Sequence, residues 1–438
     1  MSAFETALRI RSLVKEHHSW RSRVLPLMCS ENVMSPLARE LMGCDFQGRY
    51  ANSHGDLLPH FFFGNKYMEK VDQIAVDLVK KLFNAKEVEL HLPSGKLGCE
   101  AVALALTERN DLVLELYPIV SGLRRIGLTA PSLRLDYLPY NKREVNIDSD
   151  DAVRLIRKKK PRLIMLGDTD ILFPHPIKAI SEAADDVSAT VVYDASHVYA
   201  LIAGKRFQDP FGEGASVIDG TTHKTVPGPQ GGLILMKEAD ETSEKIISTV
   251  HTLIGNHHPN RKAVLAVVFA EMLAFGEQYA SAIIRNAKAL GQALYERGFD
   301  VLCPDKGFTQ SHQILISNKI SNIAPEPGGA REVGGLLDKA NIITDVSFLP
   351  YREWSTRGPP VLRFGTPELA RIGMGPSEMD EIASICERLV LKREKPSQIA
   401  EEVADLMDGF QKLQFCFDEA AEAYEYFDMS RISNANFH

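Results

Sequence analysis

The segment from residue 189 to residue 224 decides the fold class. It begins with Ala189-Thr190-Val191-Val192-Tyr193-Asp194-Ala195-Ser196-His197 and ends with Gly220-Thr221-Thr222-His223-Lys224. The β-branched and apolar residues before Asp194 predict a buried strand, and open α/β sheets bind their ligands at the carboxyl ends of such strands. Lys224 precedes the turn residues 227–232, so its amine is expected on a loop. The segment therefore supplies an acid and an amine beside a predicted sheet.

An acid and a loop lysine are the two groups that a pyridoxal 5'-phosphate (PLP) site needs. A carboxylate such as Asp194 can hold the proton of a pyridinium nitrogen, and the Lys224 amine can form a Schiff base with an aldehyde. A single lysine is by default a solvated surface charge, but the neighbouring histidines and glycine turn favour a site. His197 is expected to touch the ring hydroxyl, and His223 to assist proton movement. These residues predict a PLP enzyme.

Two further segments fit the same cofactor and an amino-acid substrate. Ser94-Gly95-Lys96 opens a helical pattern, and the backbone amides of a helix N-terminus bind phosphate. Arg363 follows the apolar pair Val361-Leu362, and its planar guanidinium matches a carboxylate. A routine helix cap and an interdomain ion pair are the respective alternatives. Beside Asp194 and Lys224, a phosphate site and a carboxylate clamp are the preferred interpretations.

Helical and strand patterns alternate from about residue 65 to residue 240, which predicts an α/β fold with a large, mainly parallel sheet. A helix is expected through 71–79, and the strand candidates in this region are 112–116, 163–166 and 189–193. An alanine-rich helix at 262–297 leads to short strands at 313–317 and 361–364, which predict a smaller C-terminal α/β domain. The expected division is an N-terminal arm over 1–25, a large PLP-binding domain over 26–275 and a small domain over 276–438.

Composition narrows the class of partner. The net charge of -8 and the pI near 5.9 argue against nucleic acid and favour a small-molecule substrate. The basic run at 157–162 is interpreted as a solvated helix end. The 6 cysteines form no CxxC pair, the N-terminus lacks the apolar core of a signal peptide, and no segment is expected to reach membrane-spanning length. A cytoplasmic protein is therefore predicted.

Ordered motifs across residues 25 to 395 resemble serine hydroxymethyltransferase, a fold-type-I family of PLP-dependent transferases. Ser30-Glu31-Asn32 resembles the family's early motif, whose serine lies near the substrate carboxylate, and Tyr50 matches a tyrosine given across the dimer interface. The resemblance implies a homodimer with shared active sites. It assigns the ring acid to Asp194, the ring contact to His197, loop positions to Thr221 and His223, the Schiff base to Lys224 and the substrate carboxylate to Arg363. The further predicted cofactor contacts are Ser94, Gly95, Lys96, Thr169 and Gly255.

The departures from the family pattern fall in regions that handle folate and hydroxyl groups. Asn52 stands where the family has a glutamate, and Phe61-Phe62-Phe63 replaces a segment with two tyrosines, so Asn52 and Phe63 are substrate-binding positions of altered chemistry. Residues 119–123 contain no histidine to stack on the cofactor ring. The loop 255–259 replaces a glycine-rich loop, and 344–347 replaces a folate-binding asparagine region. These changes argue against folate-dependent one-carbon transfer.

Two segments, 222–230 and 307–313, resemble the divergent branch of the family that includes threonine transaldolases. That branch implies cleavage or formation of the Cα–Cβ bond of a β-hydroxy-α-amino acid through a glycine quinonoid, without folate, which is the leading prediction. One alternative is β-elimination (C–S lyase chemistry) or oxidative deamination of an S-substituted cysteine in a natural-product pathway. The others are a folate-dependent glycine hydroxymethyltransferase and a non-catalytic PLP-binding scaffold.

Overall fold

The structure, a computed structural model, describes residues 2–51, 62–116, 126–127, 129–322, 328–349 and 360–429. Its helices are α1 (Ala3–Arg21), α2 (Pro36–Met42), α3 (Lys66–Phe83), α4 (Gly95–Leu106), α5 (Ser149–Lys159), α6 (Ile177–Asp185), α7 (Tyr199–Ala203), α8 (Glu241–Leu253), α9 (Pro259–Glu296), α10 (Ala330–Asp338), α11 (Pro367–Arg371), α12 (Pro376–Cys386) and α13 (Pro396–Asp408).

The strands, in chain order, are β1 (Leu25–Pro26), β2 (Glu87–Glu89), β3 (Leu112–Glu115), β4 (Arg134–Tyr137), β5 (Tyr140–Asn141), β6 (Asn146–Ile147), β7 (Leu163–Leu166), β8 (Thr190–Asp194), β9 (Val217–Thr221), β10 (Gly232–Met236), β11 (Phe299–Val301), β12 (Gln313–Ser321), β13 (Ile342–Ile343), β14 (Asp345–Phe348) and β15 (Pro360–Gly365).

The large sheet has 7 strands in the order β2-β10-β9-β8-β7-β3-β4. The five strands from β9 to β4 pair in parallel, and β10 runs antiparallel to both of its neighbours. Strands β3, β7 and β8 lie where the apolar runs predicted them, and α3 covers the expected helix at 71–79. The α/β class with a large, mainly parallel sheet is confirmed. Asp194 ends the central strand β8, so a ligand edge forms there.

Helix α9 links the two halves of the fold. Its first half, including Leu265 and Phe269, packs in the core of the large sheet, and its second half, including Leu290 and Leu294, packs in the C-terminal core. The expected boundary at 275–276 lies inside this helix, so the three-part division stays a prediction. Strand β1 pairs in parallel with β13, which brings Leu25 and Leu27 into the C-terminal core.

The smaller sheet has the order β11-β12-β15-β14, and its pairs are antiparallel. It confirms the predicted strands near 313–317 and 361–364. Helix α1 begins with a capping box at Ser2 and contributes no buried side chain among the described residues. The N-terminal arm over 1–25 stays a prediction. The exposed apolar side chains of α1 include Phe4, Ile10, Leu13, Val14 and Trp20.

The expectation that no segment reaches membrane-spanning length is wrong for α9, which has 38 residues and is apolar enough to cross a membrane. Of its most apolar stretch, 56% is buried inside the protein. The helix carries apolar residues on several faces because it packs against two cores at once. This burial pattern is that of a core helix, and the cytoplasmic location stays a prediction.

Candidate active site

Lys224 lies half-buried on the loop that follows β9. The Asn32 side-chain amide donates hydrogen bonds to the carbonyl oxygens of Lys224 (2.8 Å) and Thr225 (3.2 Å). The same nitrogen lies 2.8 Å from the Tyr279 hydroxyl, which donates to the carbonyl of Pro367 at 3.1 Å. The predicted Ser-Glu-Asn motif therefore fixes the backbone of the lysine loop through its asparagine. Ser30 of this motif is half-buried in the turn before Asn32.

The Lys224 amine faces His197, with 3.1 Å between Nζ and Nε2. The other ring nitrogen of His197, Nδ1, lies 3.1 Å from Nε2 of the buried Gln313. The Gln313 amide has a defined orientation, because its oxygen accepts from the Ile171 backbone N–H (2.7 Å) and its nitrogen donates to the Thr169 carbonyl (2.8 Å). Gln313 therefore donates to Nδ1 of His197, which leaves the imidazole proton on Nε2 facing Lys224.

This hydrogen-bond direction requires a neutral lysine amine as acceptor. Burial lowers the pKa of Lys224, with Asp194 partly opposing the shift and Arg363 adding to it. Burial and the Lys224 charge lower the pKa of His197 well below its ordinary value. Burial also lowers the pKa of His223 to about 4. The hydrogen-bond geometry and the lowered pKa both favour the neutral form of the Lys224 amine, which is a nucleophile toward aldehydes.

Asp194 lies at the carboxyl end of β8, as predicted. Its Oδ1 accepts from the Ser196 backbone N–H at 2.9 Å. The Ser196 hydroxyl in turn accepts from the Thr221 backbone N–H at 3.0 Å, which ties the ends of β8 and β9 together. The Asp194 charge reaches the Lys224 amine, since it raises the pKa of that amine. The predicted acid and amine are therefore brought into one site.

The N-terminus of α4 lies directly against the end of β9. Ser94 caps the helix by accepting from the Leu97 backbone N–H at 3.2 Å. A Cβ atom on Gly95 would stand 2.7 Å from Cγ2 of Thr221, so only glycine permits this approach. The structure brings Ser94, Gly95 and Thr221 together as predicted, and both Ser94 and Lys96 are exposed to solvent. A helix N-terminus in this position attracts a phosphate.

Arg363 is 4% exposed and pairs with two carboxylates. Its Nε donates to Asp345 Oδ1 at 2.9 Å, and Nη2 pairs with the other oxygen of Asp345. Its Nη1 donates to the Thr169 carbonyl (2.8 Å) and to Asp170 Oδ1 (3.0 Å). Thr169, which is predicted as a cofactor contact, therefore contacts Arg363 through its backbone oxygen. The ion pair named as the alternative for Arg363 is present, and its role as a carboxylate clamp stays a prediction.

Tyr50 and the loop at 255–259 meet on an exposed aromatic surface. The Tyr50 ring stacks on Phe62 with 4.9 Å between ring centroids, and both rings approach His257 at 6.2 and 5.6 Å. Phe63 is 94% exposed, and a Cβ on Gly255 would meet open space. Asn52, Phe61 and the segment 119–123 lie outside the described residues.

Several site residues escaped prediction as individual positions. His312 stacks on His197, with 5.5 Å between centroids and an interplanar angle of 16°. His312 and Gln313 lie in the 307–313 segment, whose resemblance to threonine transaldolases predicts no role for either residue. Asp345 lies in the 344–347 segment, and its pairing with Arg363 is not apparent from the sequence. Asp170 is not distinctive, because an acid after a strand is ordinary in an α/β protein.

The residues brought together fit PLP. Lys224 offers an amine of lowered pKa for its aldehyde, Asp194 offers a carboxylate for its ring nitrogen, and the Ser94-Gly95 helix start beside Thr221 offers amides for its phosphate. These groups derive from three separate elements that meet at the carboxyl edge of the large sheet. The arrangement is that of a cofactor site with a carboxylate-rich neighbourhood around Arg363.

Comparison with known proteins agrees with this chemistry. The family model described as serine hydroxymethyltransferase matches residues 5–386. A serine hydroxymethyltransferase of Korarchaeum cryptofilum is 41% identical over 97% of this chain and 100% of its own length, and one of Methanopyrus kandleri is 40% identical over 97% and 99%. The crystal structure of L-threonine transaldolase from Pseudomonas fluorescens in its internal aldimine state has a TM-score of 0.86 and 26% identity, covering 95% of each chain.

Proposed function

The chain belongs to the serine hydroxymethyltransferase family and is a PLP-dependent enzyme of Cα–Cβ bond chemistry, and we propose that it works on β-hydroxy-α-amino acids without folate. The observation that carries the proposal is the half-buried Lys224 amine, held 3.1 Å from a neutral His197 in one site with Asp194 and Arg363. When bound, PLP withdraws electrons from the Cα atom of an attached amino acid, so that a bond to Cα can break.

The roles of the residues follow from their protonation states. We assign Lys224 as the amine that would hold the cofactor and that accepts or returns a proton, because burial lowers its pKa and favours the free amine. His197 presents its Nε2 to the Lys224 amine, and it would contact the ring hydroxyl of the bound cofactor. Asp194 would hold the ring-nitrogen proton, and His223, whose pKa burial lowers to about 4, would assist proton movement. Gln313 is a positioning residue, which acts only through His197.

Folate independence is supported by the chemistry of the substituted positions. Asn52 cannot act as a general base where the family has a carboxylate. Phe62 and Phe63 have no hydroxyl group to present to a substrate. In the 344–347 segment, the Ser347 hydroxyl donates to Asp170 at 2.6 Å and is thereby engaged inside the protein. The threonine transaldolase with 26% identity supports aldol transfer as the reaction.

A second candidate function is folate-dependent conversion of serine to glycine. It is favoured by the names of the relatives at about 40% identity, which are serine hydroxymethyltransferases. The two candidates share the bond that breaks and differ in the fate of the fragments: tetrahydrofolate takes up the one-carbon unit of serine, whereas aldol transfer releases the aldehyde and joins the glycyl unit to a second aldehyde. A direct comparison of reactions with and without tetrahydrofolate separates them.

The test is a set of assays on the PLP-loaded enzyme. With threonine alone we expect acetaldehyde release, and with a second aldehyde we expect a new β-hydroxy amino acid. Lys224→Ala should abolish both reactions, whereas the exposed Lys245→Ala should leave them intact. Serine turnover that requires tetrahydrofolate would instead support the second candidate. Turnover of an S-substituted cysteine, with no threonine cleavage, would move the assignment to β-elimination.

We propose further that the enzyme is a homodimer in which Tyr50 and the 255–259 loop serve the partner's site. The exposed stacking of Tyr50 on Phe62 and the apolar exposed side chains of α1 support this arrangement. Mixing Tyr50→Ala with Lys224→Ala chains tests it. A shared site restores part of the activity in mixed dimers, because one of their two sites has both residues intact. No restoration would mean that Tyr50 serves its own chain.

A further inference from the structure

The hydrogen-bond donors of Arg363 are almost fully used inside the protein. A guanidinium has five N–H donors, and a substrate carboxylate takes two that lie side by side. Asp345 occupies the edge formed by Nε and Nη2. Both donors of Nη1 are used by Thr169 and Asp170, so the second edge offers only one remaining N–H. In this arrangement, neither edge of the Arg363 guanidinium is free to donate two hydrogen bonds to a substrate carboxylate.

The two acids differ in how firmly they are held. The Asp170 side chain is 1% exposed, and both of its oxygens are engaged, one by Arg363 and the other by the Ser347 hydroxyl at 2.6 Å. The Asp345 side chain is 22% exposed. It is the first residue of β14, directly opposite Arg363 on β15. Asp170 is therefore a fixed partner of Arg363. Asp345 is partly exposed, so its side chain can turn away from Arg363 into solvent.

We propose that Asp345 is an internal substitute for the substrate carboxylate, which must be displaced from Arg363 before an amino acid binds. The proposal rests on the role of Arg363 in the proposed function. Two carboxylates already outnumber one guanidinium, so a third cannot join unless Asp345 leaves. The apparent dissociation constant of every carboxylate-bearing substrate is its intrinsic constant divided by the fraction of time that Asp345 leaves the arginine free.

This competition sets the affinity of the site for amino acids as a class. The cost of displacing Asp345 is the same for every ligand that brings a carboxylate, so it does not change the preference between two amino acids. Glycine brings little binding surface beyond its amine and carboxylate, so this cost is a large share of its binding free energy. Asp345 is therefore a residue that sets the affinity for amino acids without touching the reacting atoms.

The test is a binding titration of the PLP-loaded enzyme, followed by the change in its visible absorbance. Asp345→Asn keeps the size of the side chain and removes its charge, so we expect glycine to bind at least about tenfold more tightly. Ethanolamine, which has an amine and no carboxylate, should bind with unchanged affinity. The control is Asp338→Asn, which removes one negative charge from the exposed end of α10 and should alter neither affinity.

The outcomes separate this inference from the proposed function. Arg363→Ala should weaken glycine and spare ethanolamine; if it spares both, the role of Arg363 in the proposed function fails. If Arg363→Ala weakens glycine while Asp345→Asn leaves glycine unchanged or weaker, only the displacement fails. Equal tightening of glycine and ethanolamine by Asp345→Asn would also overturn it, as a general effect of charge. Asp345→Ser gives a second variant, and its glycine affinity should rise in the same direction.

Discussion

Replacing Gln313 with glutamate should raise the pKa of Lys224 through His197. In the wild-type protein the Gln313 amide donates to Nδ1 of His197 at 3.1 Å and to the Thr169 carbonyl at 2.8 Å. A carboxylate oxygen at the same place can only accept. The imidazole proton is then drawn to Nδ1, and Nε2 of His197 becomes an acceptor facing the Lys224 amine at 3.1 Å.

The magnitude follows from this reversal of one contact. A hydrogen bond from an ammonium group contributes about 1.5–3 kcal/mol. One pKa unit corresponds to about 1.4 kcal/mol, so the pKa of Lys224 should rise by about one to two units. The shift opposes the burial that lowers this pKa in the wild-type protein. Lys224 of the variant therefore stays protonated up to a higher pH, and it reacts more slowly with an aldehyde near neutral pH.

The assay measures Lys224 in the cofactor-free protein. A small aldehyde is added across a range of pH, the adduct is trapped by borohydride, and modification of the Lys224 peptide is quantified by mass spectrometry. Gln313→Met removes the donor without adding charge and should shift the pKa less than glutamate does. The exposed Gln310→Glu adds the same charge three positions away and should leave the pKa unchanged. An unchanged or lowered pKa in folded Gln313→Glu would refute the reasoning.

Three other perturbations test the positioning of the site. Asn32→Ala removes hydrogen bonds to two carbonyls of the lysine loop and should lower the free energy of unfolding by about 1–3 kcal/mol. Denaturant titration measures this change, and an unaltered free energy of unfolding would show that Asn32 does not hold the loop. Gly95→Ala should weaken PLP binding, measured by absorbance, because the added methyl group would lie 2.7 Å from a neighbouring side chain. The control Gly335→Ala adds a methyl group in open space and should leave binding unchanged. Equal effects of the two substitutions would contradict the close approach. Burial lowers the pKa of both His91 and His312 to about 3, below the ordinary 6.5, so the unfolded chain binds these protons more readily. Stability is then full above about pH 6.5 and falls below it by up to about 1.4 kcal/mol per pH unit for each histidine, which calorimetry from pH 7 to 4 checks; a flat profile would contradict neutral burial.

The large sheet was predictable because its strands carry a strong local signal. Residues 163–166 and 191–193 are apolar or aromatic and buried, and no competing helical period covers them. Asp194 and Lys224 could be placed in one site because the carboxyl ends of parallel strands meet at one edge. The Gly95 turn was predictable for the same reason, since a helix start after a strand faces that edge.

The polar network around Arg363 could not be predicted in this way. Its partners Thr169, Asp170 and Asp345 are far from it in sequence or lie across a strand pair, and only tertiary pairing brings them together. Gln313 looked like the first residue of an apolar strand, and its amide orientation is set by backbone groups more than a hundred residues away. The length of α9 was also missed as a potential span, because alanine-rich helices are common in soluble cores.

The central claim is that this enzyme breaks Cα–Cβ bonds at the Lys224 site without folate. The most direct test measures two initial rates on one PLP-loaded preparation: acetaldehyde release from threonine without tetrahydrofolate, and conversion of serine to glycine with and without tetrahydrofolate. We predict acetaldehyde release that is lost in Lys224→Ala, and a serine rate that tetrahydrofolate does not raise. Serine conversion that appears only when tetrahydrofolate is added would contradict the claim.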